Sequence, residues 1–235
     1  MTKNNFAPIA LVCVGLAVAP AAVANELGFY IGGYVGQASR DPDHFFYTDL
    51  TEALQEFAVF HPTEERTWFD HKDTAYSLYA GYRLNRYLAF EGGYAKLGTI
   101  SSRSRATGNF PQEPGSLITT LESEMSGFTV SALGWLPLTR DWELFVRGGA
   151  LFAQNKLSFN LRAQGNEFIP PTGPDLSASL SDGGTDYFAG VGITRRVLEI
   201  YDVRLEYQRV FDAGLERTGG EVDMDVMQLG VTVTF

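Results

Sequence analysis

Short segments in which apolar and polar residues alternate recur along this chain, and they constrain its fold more than any other feature. Each segment is about ten residues long and is bounded by polar, glycine-rich or proline-rich sequence, a pattern typical of membrane-crossing strands in a β-barrel. Eight such segments occur, at residues 29–37, 75–83, 87–97, 127–136, 142–153, 187–195, 203–210 and 226–235. The pattern therefore predicts an all-β fold.

The connections between these segments alternate in length. Residues 38–74, 98–126 and 154–186 form long connections, whereas residues 84–86 and 137–141 form short ones. In up-and-down barrels of outer membranes, short turns face the periplasm and long loops face the outside. We therefore predict an eight-stranded antiparallel up-and-down transmembrane barrel, closed because an open sheet edge in hydrocarbon would leave backbone groups unpaired. The interior of an eight-stranded barrel is filled by side chains, which favours a plugged barrel over a pore.

The first residues have the composition of an export signal. Lys3 precedes an apolar run from Phe6 to Val18, and Ala22-Val23-Ala24 matches the small-residue pattern of a signal-peptidase site. The apolar run is shorter than the roughly 20 residues that a membrane-spanning helix requires. We predict a signal peptide at residues 1–24, a single barrel domain at residues 25–235, and a location in the cell outer membrane.

Composition argues against several other classes of protein. The single cysteine, Cys13, lies within the predicted signal peptide, so the exported chain is expected to have neither a disulfide nor a lipid anchor. The formal net charge is −10, and it becomes about −11 once Lys3 is removed with the signal. Such an acidic chain does not favour nucleic acid as a partner.

Charged residues within the predicted strands are expected to point into the lumen. A charge that faces lipid near the middle of the bilayer costs a few kcal/mol. The residues of these strands that are predicted to face lipid are Leu88, Phe90, Tyr94, Trp142, Leu144, Val146, Phe152, Val203, Leu205 and Tyr207. The alternating positions turn Glu91, Arg147, Arg204 and Glu206 inward. Buried charges are retained when they are paired, so we predict a structural network of lumenal charges; a path for ions is the alternative.

Three stretches resemble the transmembrane domain of the outer membrane protein A family. They are YAGYRLNRYLAFEGGY at residues 79–94, Arg-Gly-Gly at residues 147–149, and Arg-Leu-Glu-Tyr-Gln at residues 204–208. The resemblance covers the exported chain except for its long connections. It implies the same barrel fold, and it implies that Glu91 and Arg204 meet in an interior ion-pair network.

The chain also departs from the pattern of this family. Small residues near Ala132 and Gly192 stand where the family has a lysine and a second acid. The resemblance therefore does not imply a switch of ion pairs that opens the lumen. The chain ends with its eighth predicted strand, so we expect a barrel alone, without the periplasmic peptidoglycan-binding domain of the family.

The last predicted strand resembles the signal by which outer-membrane barrels are recognised for assembly. Val231, Val233 and Phe235 share one face of this strand. We expect them to engage the outer-membrane assembly machinery, and we expect an appended tail to impair assembly.

Catalytic and metal-binding patterns are weak in this sequence. The three histidines, His44, His61 and His71, all fall in the first long connection, and none follows a strand-borne His-x-Ser pattern. Nucleophilic catalysis needs a base within hydrogen-bond reach of the nucleophile, and the histidine spacing matches no compact metal motif. We predict no catalytic residue, no metal and no cofactor. A lipid A-modifying enzyme is the least favoured alternative.

The long connections do not identify a ligand. An amphipathic stretch at residues 50–60 predicts a short external helix, which we interpret as a cap over the barrel mouth in preference to a docking surface. The function predicted is that of a non-enzymatic barrel with a role in envelope integrity or in surface interactions; a narrow channel for small solutes is the alternative. The expected partners are outer-membrane lipid and lipopolysaccharide, the assembly machinery, and host or phage ligands at the loops.

Overall fold

The computed structural model describes residues 28–40, 61–70, 72–110, 113–165, 176–213 and 222–235. The predicted signal peptide, the predicted helix at residues 50–60, and both His44 and His71 lie outside the described residues. Within the described ranges, no helix has the length and apolar character that crossing a membrane requires.

The described residues form nine antiparallel strands. These are β1 (Gly28–Arg40), β2 (His61–Asp70), β3 (Lys72–Asn85), β4 (Leu88–Phe110), β5 (Glu113–Pro137), β6 (Trp142–Gly165), β7 (Leu176–Leu198), β8 (Tyr201–Ala213) and β9 (Val222–Thr234). Strands β4, β3, β1, β9, β8, β7, β6 and β5 pair in that order, and β5 pairs back with β4. The predicted eight-stranded antiparallel barrel is thus confirmed as a closed ring, and β2 pairs with β4 outside it.

The two faces of the barrel wall differ in the way the alternation predicts. In β8, Arg204, Glu206 and Gln208 are buried, whereas Leu205 and Tyr207 between them are exposed. Aliphatic and aromatic side chains on the outward face meet lipid rather than water in a membrane, so their exposure is expected there. Exposed residues of this kind are Phe29, Leu78, Phe90, Phe128, Val130, Val146, Phe152, Val191 and Leu229.

Four strands extend well beyond the ends that the sequence predicts. Strands β4 and β5 continue to a hairpin near Phe110 and Glu113, and β6 and β7 pair from Trp142 up to Leu161. Strand β2, at residues 61–70, was also not predicted. Residues 98–126 and 154–186 were predicted as loops, but most of these residues lie in paired strands. Together β2 and the upper parts of β4 to β7 form a sheet that rises from one side of the barrel. It lies at the end that the sequence predicts to face the outside, and it is here called the extracellular sheet.

Side chains fill the lumen in two layers. The layer near the short turns is mainly aromatic, and its members are Tyr30, Tyr34, Tyr79, Ala89, Leu133, Trp135 and Phe145. The layer near the extracellular rim is aliphatic for the most part, and its members include Leu97, Met125, Leu151, Phe188, Val210, Met224 and Val226. Together the two layers leave the described barrel with a filled interior, as an eight-stranded ring predicts.

Glycines make space for the large rings of the aromatic layer. A Cβ atom on Gly81 would lie 2.4 Å from Cζ of Tyr30, and one on Gly192 would lie 2.3 Å from Cζ of Phe145. Such distances are far below van der Waals contact, so a larger residue would displace the ring. These two glycines therefore set the depth to which Tyr30 and Phe145 reach into the lumen.

Candidate functional site

The four charged residues predicted to face the lumen come together in its aromatic half. Glu91 lies on β4, Arg147 on β6, and Arg204 and Glu206 on β8. Their relative exposures are 4%, 9%, 2% and 0%. The alternation of each strand turns them inward, and closure of the ring brings the three strands to one level. These four residues are here called the lumenal charge cluster.

Glu91 contacts both arginines of the cluster, and Arg147 contacts both acids. Arg204 donates from Nη1 to Glu91 Oε1 at 2.6 Å, and Arg147 pairs with Glu91 Oε2. Arg147 also pairs through Nη1 with Glu206 Oε2 at 3.2 Å. Two acids and two bases thus balance in net charge, although Glu91 has two cationic partners and Glu206 has one.

Aromatic side chains surround the cluster and were not predicted as part of it. Tyr30 donates a hydrogen bond to Glu91 Oε1 at 2.9 Å. The guanidinium of Arg204 lies 5.0 Å from the ring centroid of Tyr30, 5.3 Å from that of Tyr79 and 4.9 Å from that of Trp135, within the range of cation–π attraction. The arginine charge is therefore compensated by ring faces as well as by a carboxylate.

The sequence does contain a pattern that could have predicted these tyrosines as part of the lumen. Tyr30 and Tyr34 alternate with glycines on the lumen-facing side of β1, and Tyr79 precedes Gly81 on the neighbouring strand. A large ring beside glycines on an inward face indicates that the ring occupies the space of the missing side chains. The Tyr79 hydroxyl also shares a hydrogen bond with Thr232 Oγ1 at 2.7 Å, which ties β3 to β9 over the intervening β1.

A second ion pair lies nearer the short turns. Arg83 on β3 donates to Glu143 on β6 at 2.8 and 3.1 Å, and its guanidinium lies 4.8 Å from the Trp135 ring centroid. Glu143 lies on the same inward face of β6 as Arg147, and its bond to Arg83 depends on closure of the ring. Strands β4 and β5 lie between the two strands that it joins, so the pair links separate parts of the barrel wall.

Small residues near Ala132 and Gly192 were predicted to stand in place of the lysine and the second acid of the family, and these two residues lie on different faces of the barrel wall. Gly192 faces the lumen, where Phe145 fills the adjacent space. Ala132 is paired with Phe90 and Gly148 on the outward face, so it does not line the lumen. Its inward neighbours on β5 are Ser131 and Leu133, both buried and uncharged.

The residues of the predicted assembly signal lie on the outward side of β9. Val231 and Phe235 are exposed, whereas Val233 is covered between β1 and β8. The backbone N–H of Phe235 donates to the carbonyl of Phe29 at 3.1 Å, so the end of the chain completes the barrel seam. Recognition by the assembly machinery stays a prediction.

Candidate catalytic and metal groups are sparse in the part of the chain that the structure describes. His61 begins β2, at the far end of the extracellular sheet. In the described ranges, no group of three His, Cys, Asp or Glu side chains is placed to hold a metal ion.

A family model and a curated protein match the sequence of this chain. The sequence model of a family described as OmpA-like transmembrane domain matches residues 24–235. The outer membrane protein A of Serratia marcescens is 24% identical over 236 residues, which cover 99% of this chain and 56% of that protein. The chain thus spans about half the length of this curated relative.

Solved structures with a similar fold are also outer-membrane proteins. Neisserial surface protein A has 16% identity and a TM-score of 0.48, with 90% of this chain and 99% of that one covered. The attachment invasion locus protein of Yersinia pestis has 14% identity and a TM-score of 0.42, with 88% and 99% covered.

Proposed function

Because this chain belongs to the family of OmpA-like transmembrane domains, we propose that it serves as a non-enzymatic barrel with a structural or surface-interaction role. The family implies the cell outer membrane. The role we propose has two parts: the strands form a rigid, plugged support, and the extracellular sheet is the part that meets other molecules.

The observation that carries this proposal is the length of the strands above the barrel. Strand β5 has 25 residues and β1 has 13, and β5 is paired on both sides over nearly its whole length. The difference of twelve residues corresponds to about 40 Å of additional strand at ~3.3 Å per residue. A paired sheet of this height holds its side chains in fixed positions outside the membrane, as a recognition surface requires.

The filling of the lumen supports a structural role for the barrel itself. The lumenal charge cluster connects β4, β6 and β8. One strand separates β4 from β6 and β6 from β8, whereas β4 and β8 lie on opposite sides of the ring. Above it, the aliphatic layer includes Leu151, Phe188 and Met224, each at most 4% exposed. We infer that the cluster stabilises the barrel and does not act on a substrate.

A trimmed variant tests the surface role. Ser101 and Glu122 face each other in the β4–β5 pair, so residues 102–121 can be replaced by Asn-Gly, which favours a two-residue hairpin turn. We expect cells with this variant to keep the detergent resistance given by the full chain and to lose the adhesion or phage sensitivity that the full chain gives. Cells without the chain are the control. Unchanged adhesion and phage sensitivity would contradict the proposal.

A narrow channel is the second candidate, and one observation favours it. Two arginines and two glutamates line the lumen at one level, as they do in some ion pathways. The aliphatic layer nearer the rim argues against conduction, because apolar constrictions exclude water and ions. Recordings in planar bilayers should show no steady openings for the full chain. Steady openings that change in ion selectivity with Glu206→Gln would replace the plugged barrel with a channel.

A further inference from the structure

The outward face of the extracellular sheet carries four arginines on adjacent strands. Arg66 on β2 is paired in register with Arg105 on β4, Arg105 with Ile118 on β5, and Ile118 with Arg162 on β6. Residues that are directly opposite in antiparallel strands point to the same side of the sheet. Arg103 lies on the same face, two positions from Arg105. These four residues are here called the arginine face.

The arginine face is accessible. The side chain of Arg66 is 70% exposed and that of Trp68, opposite Arg103, is also exposed. Arg103, Arg105 and Arg162 are exposed as well. Arg66 has an acidic partner, Glu64, at 2.7 Å, whereas neither Arg103 nor Arg105 is part of an ion pair in the described ranges. Like charges directly opposite each other destabilise a sheet. Glu64 offsets the charge of Arg66 but not that of Arg105, so an external anion beside Arg103 and Arg105 would relieve the repulsion between Arg66 and Arg105.

The same side of the wall faces lipid lower down. Strand β5 has no register shift in its pairing with β6, so Ile118 points to the same side as Phe128 and Val130, which are exposed on the outward surface. The first outward charges along these strands, Lys96 and Glu124, form an ion pair that marks the outer limit of the apolar band. From Glu124 to Ile118 is six residues, or about 20 Å along the strand. The arginine face therefore points away from the barrel axis, at a level about 20 Å along the strand beyond the apolar band.

We propose that the arginine face binds the phosphate groups of lipopolysaccharide in the surrounding outer leaflet. Arginine is suited to this ligand because its planar guanidinium donates two parallel hydrogen bonds to a phosphate. The position selects lipopolysaccharide over a soluble polyanion: headgroups of the leaflet are present beside this face at all times. A soluble polyanion, in contrast, would approach a chain with a net charge of −10, which repels it at long range.

The inference deepens the proposed surface role, because it names a partner for the extracellular sheet. Lipopolysaccharide binding and the surface role can fail separately, since binding is measured on the purified protein and the surface role is measured on cells. A chain that binds lipopolysaccharide headgroups can still have no effect on adhesion.

The test measures the affinity of the full chain, folded in detergent micelles, for fluorescently labelled lipopolysaccharide that carries core phosphates. We expect Arg103→Gln combined with Arg105→Gln to weaken binding about five- to tenfold, as the loss of two exposed charged contacts implies. The matched control is Arg195→Gln combined with Arg196→Gln, which removes the same charge at the end with the short turns. The control should bind as the unchanged chain does, and equal affinity of all three proteins would overturn the proposal.

Two further measurements separate the outcomes. Thr120→Glu places an acid opposite Arg103 and keeps both arginines, so it should also weaken binding. It provides the test if the double substitution impairs folding. Dephosphorylated lipopolysaccharide should bind the unchanged chain and the Arg103 and Arg105 variant equally. If dextran sulfate competes at the same sites with an affinity equal to that of lipopolysaccharide, a soluble polyanion is the ligand, and the proposal is wrong.

Discussion

Of the two acids in the lumenal charge cluster, Glu91 carries more of the electrostatic balance than Glu206. It contacts Arg147 and Arg204, whereas Glu206 forms an ion pair with Arg147 alone among the described residues. Removal of one partner from a buried ion pair leaves an uncompensated charge, and that charge is costly in a medium of low polarity. The two acids are therefore not equivalent.

We predict that Glu91→Gln lowers the free energy of unfolding by about 3 to 5 kcal/mol, because both arginines lose an ionised partner. Glu206→Gln is the matched comparison, and it should cost roughly half as much because Arg147 keeps Glu91. Urea titration of the barrel in lipid bilayers, followed by tryptophan fluorescence, gives both values. Equal losses for the two variants would contradict the central position of Glu91.

Glycines of the lumen determine whether the aromatic rings can reach the cluster. We predict that Gly81→Ala lowers the free energy of unfolding by about 1 to 3 kcal/mol, since its Cβ would displace the Tyr30 ring from Glu91. Gly148→Ala is the control, because no heavy atom lies within 4 Å of the added Cβ on that outward residue. The same urea titration measures both. A Gly81 variant as stable as the Gly148 variant would show that Tyr30 can move without loss.

Among the strands, β2 differs from the others because it pairs with one neighbour, β4, in the described structure. A strand with a single partner opens locally at a lower free energy than one held on both sides. We predict that backbone amides of residues 63–70 exchange with deuterium faster than those of residues 101–109, their partners on β4. Hydrogen–deuterium exchange followed by mass spectrometry provides the comparison. Equal protection would mean that β2 has a second partner.

The membrane-spanning parts of the strands could be predicted because residues that face lipid must be apolar. Phe128 and Val130 point to lipid, so the alternation along β5 is clear from the sequence. Above the membrane the rule no longer applies: Thr120, Glu122 and Glu124 occupy the outward face of the same strand. The inward residues still alternate there, as Leu117 and Leu121 do, but polar outward neighbours made the segment resemble a loop.

The candidate site could be predicted in part for a similar reason. The inward direction of Glu91 followed from the cost of a charge in lipid, whereas its hydrogen bond with Tyr30 joins residues 61 positions apart. Contacts across a lumen depend on the register of every strand between the two residues, and the sequence of one strand does not contain that information.

At the scale of the whole molecule, closure of the ring should make unfolding strongly cooperative, because no strand of the barrel has a free edge in the lipid. We predict that the unheated protein in an outer-membrane fraction migrates differently on a denaturing gel from the boiled protein. The shift should be retained in the variant that lacks residues 102–121, because its eight strands still close the ring. Loss of the shift in that variant would mean that the extracellular sheet is needed for closure.

The unequal height of the described strands gives the molecule a direction within the plane of the membrane. The tall strands β4 to β7 are consecutive in the ring, and β8, β9, β1 and β3 complete the lower side. Rotation about the membrane normal therefore changes whether a neighbouring protein meets the long or the short described strands. Collisions between two such molecules depend on their relative orientation.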